Sequence, residues 1–341
     1  MKRVLFFGIF DPDYARSRVL REGFEAHGYT VEMCRVDPRT HRGARKYWVL
    51  FQKGRVRRKE RFDYVLVLFP GHTVVWLARL LFGKRIIFDV FVSLYDSNVS
   101  DRMRYHPWSL RALYDLFFDH LSCALAGTVL VDTEAHRRYF VARRLASPKK
   151  TLIVPVGASQ VWFEAGAVSA RAREPVTVGF YGSYIPLHGV QTIVRAAALL
   201  RDAPVRFELI GAGQEYTSVQ KVAHDVGATN IVFTPRVSRD ELIEKMRVAD
   251  ICLGIFGETR KASRVVPNKV YECAALGKPI VTADTPAVRA FFSDNELVLV
   301  PQDDSTKLAE AISALVINTT ERRLLAAAVR KRMLACYSPI Q

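Results

Sequence analysis

Short apolar runs that stop at glycine, proline or a charged residue, each followed by a helical pattern, recur along the chain and start afresh near its middle. In the first half they are residues 3–9, 30–35, 64–69, 85–90, 128–131 and 151–154; in the second, 176–181, 206–210, 231–233, 251–255 and 279–282. Runs that are apolar throughout, rather than at alternate positions, belong to strands covered on both faces. That is the mark of a parallel sheet under helices. The helical patterns between them include a long one over 105–126 and a helical tail from Thr306. The expected fold class is α/β, with two doubly wound Rossmann-like domains facing across a cleft. The first domain is expected over 1–158 and the second over 159–341, with a hinge near 157–170 where periodicity lapses. A length of 341 residues suits two such domains better than one core.

Several classes drop out early. Five cysteines, with no C-x-x-C pair, make neither a disulfide framework nor a zinc site, and a reducing setting fits them. No cluster has metal-ligand spacing, so no metal or other cofactor is expected. The opening Lys2-Arg3 and Val4–Phe10 imitate a signal peptide but stop at Asp11-Pro12-Asp13. The apolar stretch Tyr64–Ala78, broken by Pro70-Gly71 and closed by Arg79, is too short to span a bilayer.

Charge is uneven. Residues 1–160 hold 28 Lys+Arg against 15 Asp+Glu, whereas residues 161–341 hold 22 against 19. The stretch 35–61 alone carries 11 basic residues around Tyr47-Trp48-Val49-Leu50-Phe51. One reading is a helix with its apolar side on the core and its basic side in water. The other is an interfacial anchor, with Trp48, Leu50 and Phe51 entering the headgroups of an anionic membrane. Nucleic acid is the least expected partner.

Pro267-Asn268-Lys269-Val270-Tyr271-Glu272, closed by Gly277-Lys278-Pro279, is the strongest constellation. A proline opens a helix whose first turns carry Lys269 and Glu272 on one face. A helix start offers free N–H groups to a diphosphate, and a carboxylate one turn on can accept from a ribose diol. Gly182-Ser183 and His188-Gly189 lie in the first strand-to-helix turn of the second half, where backbone N–H groups can approach a phosphate. Gly211-Ala212-Gly213 ends the next strand.

In this order the pieces resemble the nucleotide-sugar domain of family-four glycosyltransferases, retaining enzymes of the GT-B fold. The likeness runs from Val176 to about Val281 and takes in Phe233-Thr234-Pro235-Arg236-Val237, with Val154-Pro155-Val156-Gly157 and Trp162-Phe163 as the interdomain hinge. It implies a nucleotide-diphosphate sugar as donor; the basic, aromatic stretch 35–61 in the acceptor domain adds the expectation of a lipid-linked or glycan acceptor, met from the cytoplasm at the inner face of the cell membrane. The implied donor residues are Gly182, Ser183, His188, Gly189, Gly211, Gly213, Arg236, Arg264, Asn268, Lys269 and Glu272. Position 264, where the family carries the first of two glutamates with seven residues between them, holds Arg264 here. Ser183 and His188 stand where many members place Arg and Lys. On the acceptor side, Gly8, His72 and Ser93 end strands, and Asp96 or Asp101 would orient the acceptor hydroxyl. With no evident base, the leaving diphosphate would help take the acceptor proton while His188 and Lys269 stabilise its charge. A nucleotide-sugar epimerase of the same fold and a non-catalytic nucleotide-binding protein are the alternatives.

Overall fold

The computed structural model describes residues 2–166 and 174–341. The chain divides into two compact units, Met1–Val156 and Gly157–Pro339. In the first, β1 (Lys2–Gly8), α1 (Ala15–Ala26), β2 (Tyr29–Arg35), α2 (Arg45–Arg57), β3 (Tyr64–Val67), α3 (Val75–Phe82), β4 (Ile86–Phe91), α4 (Leu110–Leu125), β5 (Thr128–Val131), α5 (Glu134–Ala142) and β6 (Thr151–Ile153) alternate. The strands pair in parallel in the order β2-β1-β3-β4-β5-β6.

The second unit opens with α6 (Gln160–Ala165). It continues through β7 (Val176–Gly182), α7 (Val190–Leu199), β8 (Val205–Gly211), α8 (Tyr216–Asp225), β9 (Ile231–Thr234), α9 (Arg239–Val248), β10 (Ile251–Leu253) and α10 (Asn268–Leu276). Then come β11 (Ile280–Ala283), α11 (Pro286–Arg289), β12 (Val298–Val300), α12 (Ser305–Ile317) and α13 (Thr319–Cys336). Its parallel sheet runs β12-β11-β10-β7-β8-β9.

The continuous apolar runs have their cause in this layering. Along β1, Leu5 and Phe7 pack into one core layer while Val4 and Phe6 pack into another, and all four are fully buried. Each such side chain withdrawn from water contributes roughly 1.5–3 kcal/mol. In each sheet the chain starts in the interior and later reverses direction, at β1/β3 and at β7/β10. Open α/β sheets bind ligands outside the carboxyl ends of strands at such points.

The structure departs from the sequence reading in four places. The helix expected over 105–126 begins only at Leu110, because Pro107 interrupts the pattern and Ser109 caps the helix, its Oγ accepting from Ala112 N at 3.2 Å. Within 35–61, α2 turns Leu50 fully into the core and Tyr47, Val49 and Phe51 partly so, leaving Trp48 exposed. The stretch is thus an amphipathic element of its own unit, not an insertion of Trp48, Leu50 and Phe51 together. The expected hinge at 157–170 includes α6, whose Trp162 and Phe163 are buried in the second unit; residues 167–170 lie outside the described residues. The edge strand β12 and the single turn α11 are too short for periodicity to reveal.

Candidate active site

At the β7/β10 reversal of the second unit, glycines let three loops close on one another. A Cβ on Gly213 would lie 1.4 Å from Ser183 O, and one on Gly211 would lie 2.0 Å from Gly182 O. The turn after β7 and the turn after β8 therefore touch backbone to backbone, and Glu215 N donates to Tyr184 O at 2.9 Å. Gly189 starts α7 in the left-handed region (φ 59°), and a Cβ there would meet Gly257 N at 2.4 Å. The loop after β10 is clipped to the same turn, with Phe256 N donating to His188 O at 3.0 Å.

Into this backbone cradle comes Lys269, in the first turn of α10. It is only 4% exposed, its Nζ has no hydrogen-bond partner, and it sits 3.9 Å from the centre of the Phe180 ring. Burial pushes its pKa down to about 7, against the weaker pull of nearby Cys273 and Glu272. The ammonium points at the first turn. A Cβ on Gly182 would lie 3.0 Å from Lys269 Nζ and 2.7 Å from the His188 ring, so the space left by the missing side chain lies between them. A buried cation above a glycine turn and beside a helix N-terminus is an arrangement that favours an anion.

Glu272, one turn further along α10, is buried and accepts from the Tyr181 hydroxyl. Trp162 stacks on Tyr181 with an interplanar angle of 11°. Asn268 lies half-buried at the start of α10, and Arg264 ends a 3-10 turn, Ala262–Arg264. Arg236 is exposed after β9, the edge strand, and is not part of the glycine cradle. The sequence reading thus found the residues that converge here but missed Phe180 and Tyr181, which form the surroundings of Lys269 and Glu272. Two consecutive aromatics just before the glycine turn were the available signal.

In the first unit the strand ends are filled by side chains. Gly8 ends β1 at the chain reversal. Buried Arg16 reaches both oxygens of Asp89 through Nε, at 2.7 and 2.9 Å. Asp132 at the end of β5 pairs with His136. His72 donates from Nε2 to Val92 O at 3.1 Å and stands 3.4 Å from Asp119 Oδ1, and burial pushes its pKa down to about 3. Asp119 accepts from Ser93 Oγ at 2.6 Å, Leu94 N at 2.8 Å and Tyr95 N at 3.1 Å; burial outweighs these bonds and lifts its pKa to about 7. Asp96 and Asp101 are both buried within one π-helical turn, Asp96–Asp101. His72 and Ser93 are therefore brought together by Asp119, which the sequence reading missed. Its signal was a pair of carboxylates, Asp115 and Asp119, four apart within an apolar helical run. Among the described residues no group of three or more His, Cys, Asp or Glu is placed to hold a metal ion.

Two parallel six-stranded α/β units of this topology define the GT-B class of fold found in glycosyltransferases. Sucrose-phosphate synthase from Thermosynechococcus elongatus superposes with a TM-score of 0.76 at 16% identity, covering 99% of this chain and 95% of that one. HepE from Anabaena, in complex with UDP-glucose, superposes at 0.75 with 14% identity, covering 100% and 96%. Residues 175–318 match the family described as Glycosyl transferases group 1, so the second unit carries a domain of that family. A D-inositol 3-phosphate glycosyltransferase from Mycolicibacterium gilvum is 29% identical over 174 residues, which is 47% of this chain and 39% of that one. The curated relatives are matched over about half of their length or less.

Proposed function

We propose that the chain is a retaining, family-four-like glycosyltransferase that moves a hexose from a nucleoside diphosphate to a lipid-linked or polysaccharide acceptor at the inner face of the cell membrane. The observation that carries this reading is the partnerless, buried ammonium of Lys269 held over the Gly182 turn beside His188. A buried cation without a counter-ion is costly unless a ligand supplies the charge. HepE, whose structure holds UDP-glucose on the same fold, supports a nucleotide-sugar as that ligand.

In this reading the diphosphate lies against the backbone of the Gly182 and Gly213 turns and the N-terminus of α10. Lys269 and His188 take up the charge that develops as the sugar bond breaks, and the diphosphate oxygen accepts the acceptor proton. Glu272, oriented by Tyr181, accepts from the ribose hydroxyls. In the first unit, Asp119, Ser93, Asp96 and Asp101 hold the 93–101 loop in shape on the acceptor side. Calorimetric titration with UDP, GDP and TDP tests the reading. Absence of binding to any of the three would sink it, and release of an epimerised sugar without acceptor would favour the epimerase.

A further inference from the structure

Helix α4 is built inside out. Its buried face consists of Ala112, Asp115, Asp119, Ser122 and Cys123, whereas Leu110, Leu113, Tyr114 and Phe117 face solvent. A surface helix of a globular domain normally does the reverse. The buried carboxylates are consumed by the preceding loop: Asp119 by Ser93, Leu94 and Tyr95, and Asp115 by Asn98 Nδ2 at 2.8 Å. Once that face is committed, the apolar face is left outward. Trp108, just ahead of the helix, is 81% exposed, and α3, which packs on α4, adds exposed Trp76 and Leu80.

Charge on this surface has one sign. Across residues 71–120 all five carboxylates (Asp89, Asp96, Asp101, Asp115 and Asp119) are buried, whereas Lys84, Arg85, Arg104 and Arg111 are exposed. Exposed aliphatic and aromatic side chains in a stretch that exposes cations and no carboxylate match an anionic lipid surface. Against a second copy of the chain the same surface would set cation against cation, with no carboxylate from this region to pair them. No helix among the described residues is long and apolar enough to cross a membrane.

We propose that the α3–α4 face docks on anionic lipid, with Trp108, Leu110, Leu113 and Phe117 entering the boundary between headgroups and acyl chains. The inference deepens the lipid-linked acceptor reading and rests on it for its purpose. It also moves the membrane contact from 35–61 to 76–117. The test is flotation of the full chain with phosphatidylcholine vesicles, with and without phosphatidylglycerol. Wild type should float with the anionic vesicles and less so in high salt. Leu113→Glu with Phe117→Glu should lower the partition coefficient about a hundredfold, since each large apolar side chain withheld is worth roughly tenfold. Trp108→Ala, in a loop where folding is not at stake, should lower it about tenfold, and Trp48→Ala on α2 should leave it unchanged. The proposal is overturned if wild type stays behind with anionic vesicles, if the double variant floats like wild type, or if Trp48→Ala abolishes flotation. A wild-type dimer in light scattering that the double variant abolishes would also overturn it, in favour of self-association. UDP titration without vesicles separates the two readings: lost nucleotide binding with retained flotation defeats the transferase reading alone.

Discussion

At the strand ends of the first unit, polar side chains pair with one another, although Arg16 Nη2, His72 Nδ1 and His136 Nε2 keep no hydrogen-bond partner among the described residues. Arg16 is locked onto Asp89, His136 onto Asp132, and His72 and Ser93 both face Asp119. At the strand ends of the second unit, backbone meets backbone through Gly182, Gly211, Gly213 and Gly189, and the Lys269 ammonium has no hydrogen-bond partner among the described residues. The contrast separates two uses of the same topology. Buried charges that are paired hold loops in place and leave little to offer a ligand, whereas a bare glycine cradle with an unpaired cation is incomplete until an anion arrives.

The strongest way to break that comparison is Asp89→Ala. It strands Arg16 in the core and should cost about 3–5 kcal/mol by denaturant titration, without changing the nucleotide affinity of whatever remains folded. A variant as stable as wild type would show that the first unit does not depend on its internal pairs. Gly213→Ala probes the other unit. Forcing a Cβ into the Ser183 carbonyl should cost about 3 kcal/mol and abolish UDP binding. Gly83→Ala, at positive φ but with nothing within 4 Å, should cost about 1 kcal/mol and leave UDP binding alone.

Glu272→Ala should weaken uridine and UDP equally, by roughly 1.5–3 kcal/mol, because it removes a ribose acceptor and not a phosphate contact. Unchanged affinity would take Glu272 out of the site. Lys269→Met divides the same two ligands. UDP should weaken while uridine does not, and the empty protein should gain about 1 kcal/mol of stability as a buried charge disappears. Wild-type affinity for UDP should also fall as pH rises through about 7, where the lysine loses its proton. A stability loss in Lys269→Met, with both ligands weakened alike, would mean the lysine is structural.

The smallest effect is a pair of opposed pH slopes in the first unit. Asp119, raised to about 7, binds its proton in the folded state where the unfolded chain has released it, so its contribution to stability declines between about pH 4 and pH 7. His72, lowered to about 3, contributes stability above its unfolded pKa, and that is lost as pH falls from about 6.5 toward 3. In wild type the two slopes offset each other. Asp119→Asn should therefore leave stability rising with pH across this window, and His72→Gln should leave it falling. Thermal melts at a series of pH values read both, and parallel profiles for the two variants would contradict the arrangement.

Much of the architecture was legible before any coordinates. Apolar runs covered on both faces announce parallel strands because each residue of β1 has a core to enter, whichever way it points. Pro267 and Gly277 bracket α10 because proline can only begin a helix and glycine readily ends one, and this placed Lys269 and Glu272 one turn apart on a helix start. Glycines at 182, 189, 211 and 213 marked the turns for the same local reason. Local sequence does not carry the sign of a helix. The pattern of α4 says that one side is apolar and the other polar, but not which side faces the sheet. Only the loop that binds Asp115 and Asp119 decided that the apolar side would face out. Nor could spacing show that the aromatic run of α2 would turn inward, or that Lys269 would be buried over Phe180 with no carboxylate in bonding reach. Those outcomes depend on which elements become neighbours, and pairing across distant segments exists only once the chain is packed.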